Sequence, residues 1–517
     1  MHLGSDKCYQ LLAAKNMDEG HGYSISVQDA DNLEQTLYGP LSGWPPGYSL
    51  TISMAQKATG DYFAAAIALD VFSVVVFYGA LALFFVWWGS RFKPWIANLL
   101  LVFFAISSAP FYMLFSTDFL SLSFFILSSV VFLRWLETGR RDSRLLVIFL
   151  IAAILPGFYR YGFYPLMFVF PACLMVLAIA KKEKKYAFWS IATGIIFLAF
   201  IGLYSYYQLT LNGQSTFLSG GRHEDTGSAL FFSNLKYFNA FFFNSLLNDS
   251  FIVNRLSGGM YAVYNAIKLL FTLLLLLFAV RIALKDIRSD KGGYLGVLTI
   301  STIAVNILFL AFLSVKYKLD TNADNTWAWT YVKEFRYYSP SYFMFFLLLL
   351  RKYADMQKLE KLVVKTMIAP LMLIGVVYSF YTILSGNTNG TFPHDYKDYN
   401  GILAELKRSS TDNSLIIVNG WNRELDNTAR GSLFQLYGWE VYHDFGKGNL
   451  PHAVIAGKSK IQSNAMDKLW VNSPQFAHFD KVFYIGDDSL IKAELADSDW
   501  KVAATPVARL HLITRAN

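Results

Sequence analysis

The chain reads as mainly α: a polytopic transmembrane helix bundle with a small extracytoplasmic α/β domain at its C-terminal end. Three observations predict this. Of the 517 residues, 54% are apolar and only 16% charged, the balance of a membrane protein and not of a soluble one. Apolar runs recur that are long enough to cross about 30 Å of hydrocarbon at roughly 1.5 Å per helical residue. After Leu384 the composition turns to that of a soluble domain of ordinary size.

Spans are predicted over 63–88, 94–114, 119–136, 145–157, 161–180, 187–207, 261–284, 294–315, 338–350 and 362–384. The first contains one acid, Asp70. A net charge of +8 would suggest nucleic acid in a soluble protein, but the cations here cluster between apolar runs. Arg91/Lys93, Arg140/Arg141/Arg144, Lys181/Lys182/Lys184/Lys185, Arg281/Lys285/Arg288/Lys291 and Arg351/Lys352/Lys358/Lys361 occupy every second connection. That is the positive-inside pattern, so the charge reports topology and no nucleic-acid partner is expected. Two cysteines, Cys8 and Cys173, exclude a disulfide framework and a cysteine-based metal cage.

Strict alternation then puts both termini outside the cytoplasm, yet nothing at the N-terminus resembles a signal that would carry sixty polar residues across. A further span before Met1 is expected, giving eleven in all with the N-terminus inside. The expected organisation is a first external loop over 1–62, a bundle over 63–385 with external loops at 208–260 and 316–337, and an extracytoplasmic domain over 386–517. The first long loop carries Ser219-Gly220-Gly221-Arg222-His223-Glu224-Asp225, then apolar residues from Phe231 to Leu246 at helical spacing, as in an interfacial helix. His223, Glu224 and Asp225 fit a solvated loop better than a metal or sugar site. The second holds Asp320, Asp324, Trp327, Trp329 and Tyr331; its aromatics fit an interfacial belt or a sugar-binding platform.

In the C-terminal domain, helices are predicted over 399–408 and 431–437, strands over 414–419 and 481–486, and one or two strands over 501–514. Trp421-Asn422-Arg423-Glu424 follows a strand end, where α/β sheets bind ligands. No internal repeat is visible, which counts against a transporter built from inverted halves.

Ionisable groups at span edges are where a membrane enzyme would keep its chemistry. Four stand out, all on the outer side of this topology: Asp6, Asp118, Arg160 and Arg336. Each also has an ordinary structural reading. Asp6 fits a solvated loop acid, Asp118 an N-cap of its span, and the two arginines anchors snorkelling to headgroups.

The motifs around these residues point further. Asp6-x-x-Tyr9, Ala14, Asn16, Gly20-His21-Gly22-Tyr23 and Trp44-Pro45-Pro46-Gly47-Tyr48 resemble the first external loop of the GT-C superfamily. The protein mannosyltransferase and lipid A aminoarabinose transferase branch is nearest. Thr117-Asp118-Phe119-Leu120, Arg160-Tyr161 and Arg336-Tyr337-Tyr338-x-Pro340 follow in the family's order over residues 1 to about 350. Here Asp6 is followed by Lys7, where the family often has a second acid.

The resemblance implies an inverting glycosyltransferase. It would move a sugar from a polyprenyl-phosphate donor to a glycan, lipid or protein acceptor on the outer face of the plasma or inner membrane. Asp6 is then the candidate general base, and Arg160 and Arg336 the candidate clamps for the departing phosphate. Asp118 would orient the acceptor or help hold a divalent ion. No cofactor is implied with certainty, a divalent metal being the one possibility, and no metal ligands are assigned. Tyr9, Tyr48, Trp327 and Trp329 are the candidate sugar- or acceptor-binding residues. The alternative is a polytopic transporter or flippase of a lipid-linked or polar substrate, for which Asp70, inside its span, is the residue to watch.

Overall fold

The structure, a computed structural model, describes residues 5–88, 116–212, 258–316, 335–377 and 394–515. There are interruptions inside these stretches, the longest at 420–431 and 445–472. The predicted span 94–114, nearly all of the stretch 231–246, His223 to Asp225, Trp327, Trp329 and Trp421 to Glu424 lie outside the described residues. The chain forms two compact units. One takes Met1–Leu69, Ser205–Glu224 and Thr382–Asn517, the other Asp70–Tyr204 and Asp225–Tyr381.

The N-terminal segment, expected as a loop, is built of regular elements: helix α1 (Ser5–Asp18), a hairpin of β1 (Ser24–Gln28) and β2 (Thr36–Pro40), and helix α2 (Gly47–Thr59). The reason lies in a short, mostly apolar run, Cys8, Tyr9, Leu11, Leu12, Ala13 and Ala14, that is buried all round the helix. Ser49 Oγ donates to the Gln10 carbonyl at 2.7 Å, tying α2 to α1. Tyr23 donates to the carbonyls of Trp44 and Pro45. Gly60 closes α2 at φ +75°, its N–H returning to the Gln56 carbonyl at 2.7 Å, the left-handed cap that glycine adopts without strain.

The bundle follows: α3 (Tyr62–Trp88), α4 (Ser116–Glu137), α5 (Ser143–Tyr159), the short α6 (Tyr164–Met167), α7 (Val169–Lys181), α8 (Lys184–Asn212), α9 (Gly258–Ile287), α10 (Tyr294–Lys316), α11 (Phe335–Lys352) and α12 (Lys358–Val363). Six helical segments among the described residues are long and apolar enough to cross a membrane. α5 is a shorter apolar helix. α4 is enclosed by protein on nearly all sides, whereas α8 turns most of its apolar surface outward, as a lipid-facing helix does. The core between α4, α5, α7 and α8 is aromatic, with Phe132 against Phe149 at 4.9 Å, Phe149 against Phe170 at 4.9 Å and Trp135 edge-on to Trp189 at 5.3 Å.

The predicted single span 161–180 is interrupted: a 3-10 turn over Tyr161–Phe163 leads into α6, and Phe168 separates α6 from α7. Pro165 sits at the start of α6, where its missing N–H costs nothing, but it cannot continue a helix through from Tyr161. α12 likewise widens into a π turn over Val364–Ile368.

The basic helix ends are joined by carboxylates. Glu137 accepts from the Trp88 indole at 2.7 Å and pairs with Arg351 at 3.5 Å. Asp286, almost fully buried, pairs with Lys352 at 2.6 Å and accepts the Gly296 N–H at 2.9 Å, so α9, α10 and α11 meet there. Glu360 gathers Arg281, at 3.2 Å, and Lys285.

In the C-terminal region α13 (His394–Ser409) precedes a five-stranded sheet in the order β4-β3-β5-β7-β6. Its strands are β3 (Ser414–Asn419), β4 (Glu440–Asp444), β5 (Lys481–Ile485), β6 (Trp500–Ala504) and β7 (Leu510–Arg515). β3 pairs in parallel with β4 and β5, and β7 runs antiparallel to β5 and β6. Alternation fills both faces. Leu415, Ile417, Val482 and Tyr484 point to one core; Ile416, Val418, Phe483 and Ile485 point to the other with Ile402 and Leu406 of α13.

The N-terminal hairpin belongs to this unit. Leu33, at its tip, is buried in the first core, with its N–H on Gln475 at 2.8 Å. Gln435 exchanges hydrogen bonds with Ser26 at 2.8 Å each, and Asn16 donates to the Ser24 carbonyl at 2.9 Å.

Candidate active site

The best-defined constellation of the bundle grows from the turn after α5. Pro156 and Gly157 lie in the last turn of that helix. A Cβ on Gly157 would stand 2.6 Å from the Tyr164 ring, so only glycine lets the returning chain come this close. The turn is closed by backbone bonds on both sides of Arg160. Its N–H donates to the Pro156 carbonyl at 3.0 Å, and its own carbonyl accepts from Phe163 at 3.1 Å. Arg160 is in extended backbone (φ −150°, ψ 124°), which turns its side chain off the helix axis. Tyr204 of α8 donates to the Phe158 carbonyl at 3.0 Å and holds the turn from the side.

Asp118 approaches from the first turn of α4, where the positive helix end favours an anion. Its Oδ1 is 3.0 Å from Arg160 Nε, and both side chains are buried, 2% and 7% exposed. Two charges removed from water at this distance form a coupled unit, and stripping one partner leaves the other uncompensated at a cost of about 3–5 kcal/mol. Asp118 therefore does more than cap its helix: it fixes the plane of a guanidinium. Phe119 beside it packs on Phe77, which packs on Phe343 of α11.

α11 reaches the same turn. Gly162 lies against the Tyr337 ring, with a built Cβ 3.8 Å from it. Asn306 of α10 donates to the Tyr337 carbonyl and to Ser341 Oγ, both at 3.0 Å. Pro340 lies inside α11 and offers no N–H to the Arg336 carbonyl one turn earlier. Arg336 is thus the second residue of α11, in a helix start that Asn306 holds through the Tyr337 carbonyl.

Asp6 is the second residue of α1, in the other unit, on a helix and not in a loop. Tyr9 and Tyr48 are buried in that unit, and the Tyr9 ring packs on Trp44 at 6.0 Å. Trp327 and Trp329 lie outside the described residues. Among the described residues no three His, Cys, Asp or Glu side chains gather as metal ligands.

Two residues escaped the sequence reasoning. Lys268, 4% exposed inside α9 with its ammonium 5.7 Å from the Tyr264 ring, is a buried cation within an apolar span. Such a residue is costly in hydrocarbon and commonly functional; the signal was a lone Lys in 261–284. Asn306 carried the same kind of signal in 294–315.

Fold and composition together define an integral membrane protein with a mainly helical bundle and a small α/β domain. No family model and no curated protein matches the chain. Among solved structures it is similar to ArnT from Cupriavidus metallidurans in the apo state. The TM-score is 0.46 at 13% identity, over 98% of this chain and 93% of that one. The same protein bound to undecaprenyl phosphate gives 0.46 at 14% identity, over 98% and 92%.

Proposed function

We propose that the protein is an inverting glycosyltransferase that moves a sugar from a polyprenyl-phosphate donor to an acceptor hydroxyl on the extracytoplasmic face. The observation that carries this is the buried Asp118–Arg160 pair. A guanidinium held by its Nε in a low-dielectric turn is suited to the charge that develops on a leaving phosphate. The motif series through Asp6, Asp118, Arg160 and Arg336 supports it from the sequence side.

In the proposed reaction the acceptor oxygen attacks the anomeric carbon while Asp6 takes its proton. The bond from that carbon to the phosphate oxygen breaks, and polyprenyl phosphate leaves with the electron pair. Arg160 and Arg336 neutralise the leaving phosphate. Asp118 acts as a positioning residue for Arg160, a role that replaces acceptor orientation or metal binding.

The test is to reconstitute the protein in vesicles and supply radiolabelled sugars on a polyprenyl phosphate or on a nucleotide, with extracted envelope lipids and glycans as acceptors. Consumption of the lipid-linked sugar, with release of polyprenyl phosphate, is expected, and none of the nucleotide sugar. Movement of an intact lipid-linked sugar between leaflets without consumption would overturn the proposal in favour of a flippase.

A further inference from the structure

At the basic end of the bundle, α9 and α12 together present a charged patch that the proposed reaction does not use. Glu360 is buried, 3% exposed, at the first turn of α12, where its Oε2 accepts the Gln357 N–H at 3.0 Å in a capping box. Its Oε1 takes both Arg281 Nε and Lys285 Nζ, one helical turn apart on α9. The two cations remain 56% and 40% exposed. One buried carboxylate therefore orients two half-exposed cations, and their combined charge stays positive. Lys361 adds a third, hydrogen-bonded to the Ala354 carbonyl at 3.1 Å and lying over the Tyr353 ring. Around them the surface is apolar and outward-facing: Leu277, Leu284, Leu359 and Leu362 are each exposed by two fifths or more.

We propose that this patch is a binding site for an anionic glycerophospholipid, whose phosphate lies on Arg281 and Lys285 and whose acyl chains lie along Leu277, Leu284 and Leu362. Three features select this occupant. Leu277 and Leu284 face outward on a helix long and apolar enough to span a membrane, where acyl chains cover such side chains. A phosphate diester matches the arginine fork, whose Nε is held by Glu360. The charge falls where a span ends, at headgroup depth. A zwitterionic lipid offers the same chains but its own ammonium opposes the cations.

The protein, purified in detergent from membranes and re-equilibrated with an equimolar mixture of phosphatidylglycerol and phosphatidylcholine, is analysed for retained lipid by mass spectrometry. Retained phosphatidylglycerol is expected to exceed phosphatidylcholine about fivefold, the preference that one cation near the surface confers. Arg281→Gln with Lys285→Gln and Glu360→Gln removes both phosphate-facing cations and their carboxylate together, leaves no buried ion unpaired, and with Lys361→Gln added is expected to bring the ratio to about one. An unchanged ratio in this variant overturns the proposal. So does displacement of the lipid by inorganic phosphate at millimolar concentration, which would make this a phosphate site. A second readout needs no variant: photoactivatable phosphatidylglycerol should label α9 and α12 several-fold more than the phosphatidylcholine analogue does. Equal labelling overturns the proposal as well.

Discussion

Arg160 and Asp118 are useful at the residue scale because they separate two roles. If Asp118 positions the guanidinium, Asp118→Asn should lower kcat/KM for the lipid donor by about 100-fold, roughly 2.7 kcal/mol, and leave the acceptor KM unchanged. Arg160→Lys should lose nearly as much although it keeps the charge, since lysine lacks the Nε and the planar fork. Steady-state kinetics with both substrates varied checks this, and a rise confined to the acceptor KM would return Asp118 to acceptor orientation. Glu440, on the sheet edge, makes a pH prediction. Burial first, and then the nearby Glu34 carboxylate, push its pKa above the ordinary carboxylate value, against a hydrogen bond from Gln28 that lowers it. A carboxyl with a raised folded pKa binds more protons folded than unfolded, so its contribution is complete below the unfolded pKa and is lost as pH rises through the folded one. Glu440→Gln should therefore melt higher than the parent at neutral pH and show no gain at pH 4.

At the scale of elements, the α9–α10 hairpin depends on two glycines that face backbone. Gly293 has φ +58°, and a Cβ there would stand 2.4 Å from Ile287 Cα; at Gly296 it would stand 2.6 Å from the Ala283 carbonyl oxygen. Neither neighbour is a flexible side chain that can swing away. Gly293→Ala and Gly296→Ala should each destabilise the bundle by about 1–3 kcal/mol, seen as a lower thermal midpoint in detergent, while Gly79→Ala, with open space around it, should change little. The elements also show what the sequence discloses. α4, α8 and α10 follow from apolar runs because burial in protein or in lipid selects the same side chains. α1 was passed over because its apolar residues sit among polar ones, and its burial comes from the hairpin and α2, not from hydrocarbon. β4 was missed because Glu440-Val441-Tyr442-His443-Asp444 has the composition of an edge strand, with one neighbour only.

For the whole molecule, the membrane bundle and the C-terminal α/β region were legible in composition, and the candidate residues were legible in short motifs. Pairing was not. Nothing local says that Asp118 meets Arg160, that Asn306 holds the carbonyl of Tyr337, or that Leu33 from the N-terminal hairpin enters a core built around residues 415–513. These are choices among distant partners, made by the packing of the whole chain. In the proposed reaction Asp6 is the residue on which the chemistry turns. The most direct measurement compares the parent and Asp6→Asn in vesicles, with polyprenyl-phosphate sugar at saturation and circular dichroism confirming equal helix content. A fall in kcat of about 100-fold or more with the donor KM kept is the expected result for a general base. Undiminished turnover by Asp6→Asn would contradict it.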